Sequence, residues 1–182
     1  AKSRVVLVRA ETPAGLPTEY APETLKGMLE LGLTALTGLP DSVQAWSRYV
    51  GRGDTVGIKV NCLGGRNMCT RPALAAAAAG SLQSAGIPPR QVIVWDRSSG
   101  ELNRCGFPLN RKRNGAFLCL GTDEADAGYE KELTVQGSVG SRFSTLLTRY
   151  CSVQINMPVL KDHGLCGITA ALKNTFGTLH NP

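Results

Sequence analysis

Two lysines, a histidine and a cysteine crowd around a glycine-rich turn in residues 156–177, N-M-P-V-L-K-D-H-G-L-C-G-I-T-A-A-L-K-N-T-F-G. His163, between Asp162 and Gly164, is of the type that moves protons near neutral pH or binds a metal. Lys161 can hold an anion, stabilise developing negative charge, or act as a nucleophile if burial lowers its pKa. If chemistry occurs here, His163 is the expected proton carrier and Lys161 the expected stabiliser. Lys173 and Asn174 follow on an expected helix, as ligand contacts or as its solvated end and terminal hydrogen bonder. These residues mark a site and name no reaction.

Two other clusters carry the same kinds of group. The first holds Lys59, Asn61, Cys62, Gly64, Gly65, Thr70 and Arg71; the second holds Asp96, Arg97, Ser98 and Ser99. Lys59 sits inside an apolar run, where a buried ammonium needs a partner. Arg71 falls at a helix start, which the helix dipole disfavours unless an anion bridges it to the free N–H groups. Asp96 closes an apolar run and suits either a ligand contact or a local cap.

Several chemistries lack their signatures. There is no G-x-S-x-G elbow, H-E-x-x-H, Walker A loop or G-x-G-x-x-G fingerprint. Six cysteines occur, none in C-x-x-C spacing, so a zinc ribbon or ferredoxin-type motif is absent. Cys119 and Cys151 lie in apolar runs and are expected to be buried thiols. Cys62, Cys69 and Cys166 border the candidate loops and, with His163, are candidates for a metal site.

The elements that must position these groups follow from periodicity. Residues 4–9 (R-V-V-L-V-R) read as a buried strand, and 12–22 as a proline-punctuated loop. Residues 23–36 carry leucines at helical spacing; Gly38 to Asp41 ends that helix, and Asp41 or Ser42 caps a second one through Tyr49. Met28 and Trp46 are expected in the core. Residues 55–60 form a strand, Pro72 opens a helix running to about Ala85, and 91–95 form the next strand. That unit predicts a parallel βαβ. A short helix near 101–105 and strands at 117–120, 133–139 and 152–155, the last read as buried, follow. Helices are expected at 143–150 and from about 167 to 176. The alternation predicts one α/β domain with a mainly parallel sheet over 1–182. The three clusters would then leave the carboxyl ends of their strands along one edge, where open α/β sheets bind ligands.

Composition narrows the partners. The net charge is +6, with arginines and a lysine in 104–113 and an acidic stretch in 123–132, expected as solvated loops of opposite sign. Aromatics are 5% of the chain, too few to interleave a basic stripe, so nucleic acid is not an expected partner. No apolar run is long enough to cross a bilayer as a helix. The start Ala1-Lys2-Ser3 fits either signal-peptide cleavage or a trimmed piece, and the end His180-Asn181-Pro182 carries no closing element. The expectation is an exported chain that continues further.

Five segments resemble one family. They are K-V-N at 59–61, T-R-P at 70–72, V-I-V-W-D at 92–96, N-M-P-V-L-K-D-H-G at 156–164 and T-A-A-L-K-N-T-F-G at 169–177. Together they resemble the DUF362 family, a domain family of undefined biochemical role. The resemblance implies a Rossmann-like α/β domain with helices on both faces, association with redox or iron–sulfur systems, and export. A more distant likeness is to the N-terminal domain of nickel-pincer lactate racemases. It rests on the T-R-P loop, an A-G-I-P turn, and Arg71, Lys161 and His163 as counterparts; their second histidine motif has no match.

The leading expectation is an anionic small molecule or cofactor of unnamed identity, held by Lys59, Asn61, Thr70, Arg71, Asp96, Lys161, His163, Lys173 and Asn174. The alternative is a non-catalytic accessory subunit of a larger, redox-type assembly. In that case the lysines and His163 are locked in internal bonds.

Overall fold

The computed structural model describes residues 3–11, 20–112, 114–124 and 127–181. Helix α1 (Pro22–Thr37) starts with proline at N1 and Glu23 in its first turn, both suited to a helix start. It ends at Gly38, whose φ of 73° lets its N–H reach the Thr34 carbonyl. Asp41 caps α2 (Ser42–Ser47) by accepting from the Gln44 N–H. Strand β1 (Val56–Lys59) is buried at every position. The alanine-rich α3 (Pro72–Ser84) follows, then β2 (Val92–Asp96), also wholly buried, α4 (Ser99–Arg104) and β3 (Leu118–Gly121). Strands β4 (Thr134–Gln136) and β5 (Val139–Ser141) form an exposed hairpin, and a π-helical turn spans Leu146–Tyr150. Strand β6 (Val153–Asn156) then returns to the sheet. The chain continues with a small antiparallel hairpin, β7 (Lys161–His163) and β8 (Gly167–Thr169), then α5 (Ala171–Asn174) and a 3-10 turn, Thr175–Thr178.

The central sheet has four parallel strands in the order β3-β2-β1-β6. Parallel strands covered on both faces read as continuous apolar runs, which is why β1 and β2 were legible. On one face, α1, α2 and α3 cover the core of Val56, Ile58, Leu82, Val92 and Val94. Trp46 donates its Nε1–H to Ser81 at 3.0 Å, and Ser81 bonds Glu30 at 3.2 Å, tying these three helices together. The other face holds Ile93, Trp95, Leu118 and Leu146, from the π-helical turn, and Asn174 of α5 reaches Lys59 on it. The architecture is Rossmann-like α/β, with unequal layers. Among the described residues no helix is long and apolar enough to cross a membrane.

Five expectations need correction. Residues 4–9 form no strand: the segment runs along α1, with Arg4 bonded to the Leu36 carbonyl and Val5 and Leu7 exposed. The expected strand at 133–139 is a hairpin, because Gly137 turns the chain at φ 61°. The expected helix from 167 begins instead as β8, since residues 167–169 pair with 161–163. Residues 152–155 lie at the sheet edge, so β6 is only half-buried. Cys151, beside it, is likewise half-buried rather than buried. The basic and acidic stretches also meet: Arg111 makes a two-pronged ion pair with Glu124. Most of the loop at 12–22, and Arg113, lie outside the described residues.

Candidate functional site

Strand β1 has β2 on one side and β6 on the other, so the direction of strand succession reverses there. A crevice outside the carboxyl ends of the strands is the geometric consequence of such a reversal. A cavity of about 460 Å³ lies there. Lys59 and Asn61 from the end of β1, Asp96 and Arg97 from β2, and Lys161, His163 and Thr169 from the β7–β8 hairpin line it. Lys173, Asn174 and Phe176 close the opposite side, and Leu63 and Met68 add apolar wall.

A continuous hydrogen-bonded chain runs beneath this cavity. Lys59, 3% exposed, donates to Asp96 Oδ1 at 2.7 Å, to the Val60 carbonyl at 2.7 Å and to Asn174 Oδ1 at 3.4 Å. Those bonds occupy the three ammonium hydrogens. Asp96 also accepts from the Cys62 N–H at 2.6 Å and the Arg97 N–H at 2.8 Å. Asn174 accepts from Asn61 Nδ2 at 3.1 Å and donates to Asn156 Oδ1 at 2.6 Å. Asn61 Oδ1 in turn accepts from Lys161 Nζ at 2.8 Å. Lys161 also donates to the Leu63 and Met68 carbonyls, at 2.6 and 3.1 Å. Five sequence-predicted residues, Lys59, Asn61, Asp96, Lys161 and Asn174, thus form one network.

Its two lysines differ electrostatically. The Lys59 charge is matched by Asp96, and such a buried pair persists because both ends are fully hydrogen-bonded. Lys161 meets only neutral oxygens and is in no ion pair among the described residues. Its field therefore reaches the cavity uncancelled by a bonded carboxylate. Lys173 Nζ sits 4.3 Å from the Phe176 ring centroid, a cation–π contact that places a second positive charge on the wall.

The His163 Nδ1 atom accepts from the backbone N–H groups of Leu165 and Cys166, at 3.2 and 3.1 Å. With that lone pair used by the hairpin turn, the neutral ring carries its hydrogen on Nε2. The imidazole thus keeps its Nε2–H as a donor. Thr169 pairs directly with Lys161 across the hairpin, so both side chains project from one face. Its Oγ1 is buried without a hydrogen-bond partner among the described residues. Sequence reasoning passed over Thr169, because its burial depends on a strand pairing that the local pattern hides.

Thr70 and Arg71 do not join the cavity. Thr70 is a tie: its hydroxyl accepts from the Asn61 N–H at 2.9 Å and donates to the Met157 carbonyl at 2.6 Å. Arg71 follows with extended φ and ψ, so it turns the opposite way. It lines a separate cavity of about 330 Å³ with Arg66, Cys69 and Cys105. The expected convergence of Lys59, Arg71 and Lys161 therefore holds for the lysines and fails for the arginine. Cys62 and Cys69 approach Cys105, while Cys166 is exposed on the hairpin turn. No group of three or more His, Cys, Asp or Glu residues among the described residues could hold a metal ion.

A family model described as "Domain of unknown function (DUF362)" matches residues 56–182. That span holds every candidate residue above. No curated protein and no solved structure gives a significant match, so the likeness to lactate racemases gains no support.

Proposed function

The chain belongs to the DUF362 family, and on that premise we propose that it binds a small molecule with one anionic group and an apolar body. The cavity at the strand ends is the site. The observation that carries the reading is Thr169, a 3% exposed residue that lines the cavity beside Lys161 and whose Oγ1 has no hydrogen-bond partner among the described residues. A buried hydroxyl left unpaired is costly, and a ligand oxygen would satisfy it. Lys161 and Lys173 supply attraction for a carboxylate or phosphate, and His163 Nε2 supplies a neutral donor. Leu63, Met68 and Phe176 would cover the apolar body. Lys59, Asn61, Asp96 and Asn174 act as scaffold, holding the loops that carry these contacts.

Thermal-shift measurements with straight-chain carboxylates of increasing length, and with the matching amines, test the reading. Stabilisation should grow with chain length for the acids and be absent for the amines. Thr169→Val should weaken it, since the isosteric side chain lacks the hydroxyl. Indifference to every acid, or an unchanged response in Thr169→Val, would refute the reading.

A second reading, an accessory subunit, is favoured by the apolar surface around the hairpin. Leu165 is 95% exposed, Leu172 85% and Leu160 73%. Apolar side chains this exposed become interaction sites where they group into one patch. Sedimentation of the purified chain, with and without Leu165→Glu and Leu172→Glu, distinguishes the readings: self-association abolished by the charges favours the second.

A further inference from the structure

The second cavity carries chemistry that the ligand site does not use. Cys62 lies in the loop after β1, Cys69 just before α3, and Cys105 at the end of α4. The Cys105 thiol feels both the Cys69 and the Cys62 thiols electrostatically. It also donates to the Cys62 carbonyl at 3.5 Å, and the Cys69 thiol donates to the Arg66 carbonyl at 3.4 Å. All three are free thiols. Cys69 and Cys105 line the cavity, whereas Cys62 sits beneath them, 2% exposed, and does not. Of the lining pair Cys69 is the more accessible, at 9% exposure against 2%. Arg66 and Arg71 bring two guanidiniums to the same cavity.

We propose that Cys69 and Cys105 form a thiol–disulfide exchange site for an anionic low-molecular-weight disulfide of the oxidised-glutathione class. Cys69 and Cys105 line one cavity wall, and a bridge between them requires their sulfurs to close to about 2.05 Å. The arginines attract the carboxylates of the incoming disulfide. Cys69 loses its proton and its sulfur attacks one sulfur of the disulfide, RSSR. The S–S bond breaks and the first RS group leaves, taking a proton to become RSH. Cys105 then loses its proton and attacks the Cys69 sulfur of the mixed disulfide, releasing the second RS group as RSH. Two protein thiols are oxidised by two electrons in all, and RSSR is reduced to two RSH. Burial, and then the neighbouring Cys69 thiol, push the Cys105 thiol up to about 11, so it rests protonated until the mixed disulfide forms beside it. The bridge fastens the loop after β1 to the end of α4. Leu63, Gly64 and Met68 of that loop line the ligand cavity, so its closure would be felt there.

The test incubates the full chain with graded ratios of oxidised to reduced glutathione, followed by acid quenching, alkylation, digestion and peptide mapping. The expected product is a Cys69–Cys105 linked peptide pair, lighter by two hydrogens than the reduced pair and reversed by dithiothreitol. It should vanish in Cys69→Ser and Cys105→Ser and persist in Cys62→Ser. The wild-type map decides the question by itself if a serine variant fails to fold. Glutathione left on Cys69 without an internal bridge would overturn the proposal. So would a bridge that joins Cys62 instead, or six thiols that all stay free.

Discussion

Lys59 and Asp96 end neighbouring parallel strands, and their side chains meet 2.7 Å apart with 4% and 6% of their surfaces exposed. Two walls of the ligand cavity are tied to this pair. Asp96 fixes the start of the loop after β1 through the Cys62 N–H, and Lys59 fixes Asn174 on the far wall.

Breaking the pair strands a charge in the core. Lys59→Met and Asp96→Asn are each expected to lower the unfolding free energy by about 3–5 kcal/mol. Urea denaturation measures it. The double variant should lose less than the sum of the two, because neither charge is then left alone.

Lys161→Met should loosen the loop rather than the fold. It frees the Leu63 and Met68 carbonyls, which can turn to water, so the expected loss is about 1–2 kcal/mol. Amide hydrogen exchange across residues 62–69 should speed up while β1 and β2 stay protected. The response to carboxylates should fall with it.

Two glycines should respond in opposite senses to alanine. A Cβ on Gly121 would collide with the Ser99 nitrogen and lie 2.6 Å from the Ser98 carbonyl carbon, both backbone atoms of the turn into α4. That backbone cannot step aside, and a loss of about 3 kcal/mol is expected from overpacking. Gly27, inside α1, has nothing within 4 Å of such a Cβ, so Gly27→Ala should add about 0.5–1 kcal/mol. Chemical denaturation of both variants checks the pair.

Acid stability should depend on Glu124. The Arg111 guanidinium, followed by the Ser99 hydroxyl, lowers its carboxyl from the ordinary 4.5 to about 2. A carboxyl depressed on folding adds stability that is full above its unfolded pKa and is lost as the pH falls through the folded one. The decline should therefore run from about pH 4.5 to about pH 2. In Glu124→Gln the pH dependence over that window should be shallower. Arg111 is half exposed, so the effect is modest and shrinks with salt.

What was legible in the chain was local. The run T-V-G-I-K-V announces a central strand because both of its faces are buried, and V-I-V-W-D does the same. Pro72 and the alanines after it state a helix with its start in place. The expectation that Lys59 needs a partner was physical, and Asp96, at the end of the adjacent strand, meets it. The misread segments share a cause. Residues 4–9 have strand composition, and the sheet offers them no edge; I-T-A-A-L has a helical look, and its first residues pair back onto 161–163.

By itself the sequence determined the βαβ core, the edge at which the clusters emerge and the residue types available there. Only the tertiary structure decided how they were used. It paired Lys161 with Asn61 across 100 residues, turned Arg71 into a different cavity beside the thiols, and left the Thr169 hydroxyl without a partner among the described residues. The reason is one of range. Burial on both faces and helix starts are written in neighbouring residues, whereas the direction in which a loop side chain points is set by segments that meet only after the sheet has formed.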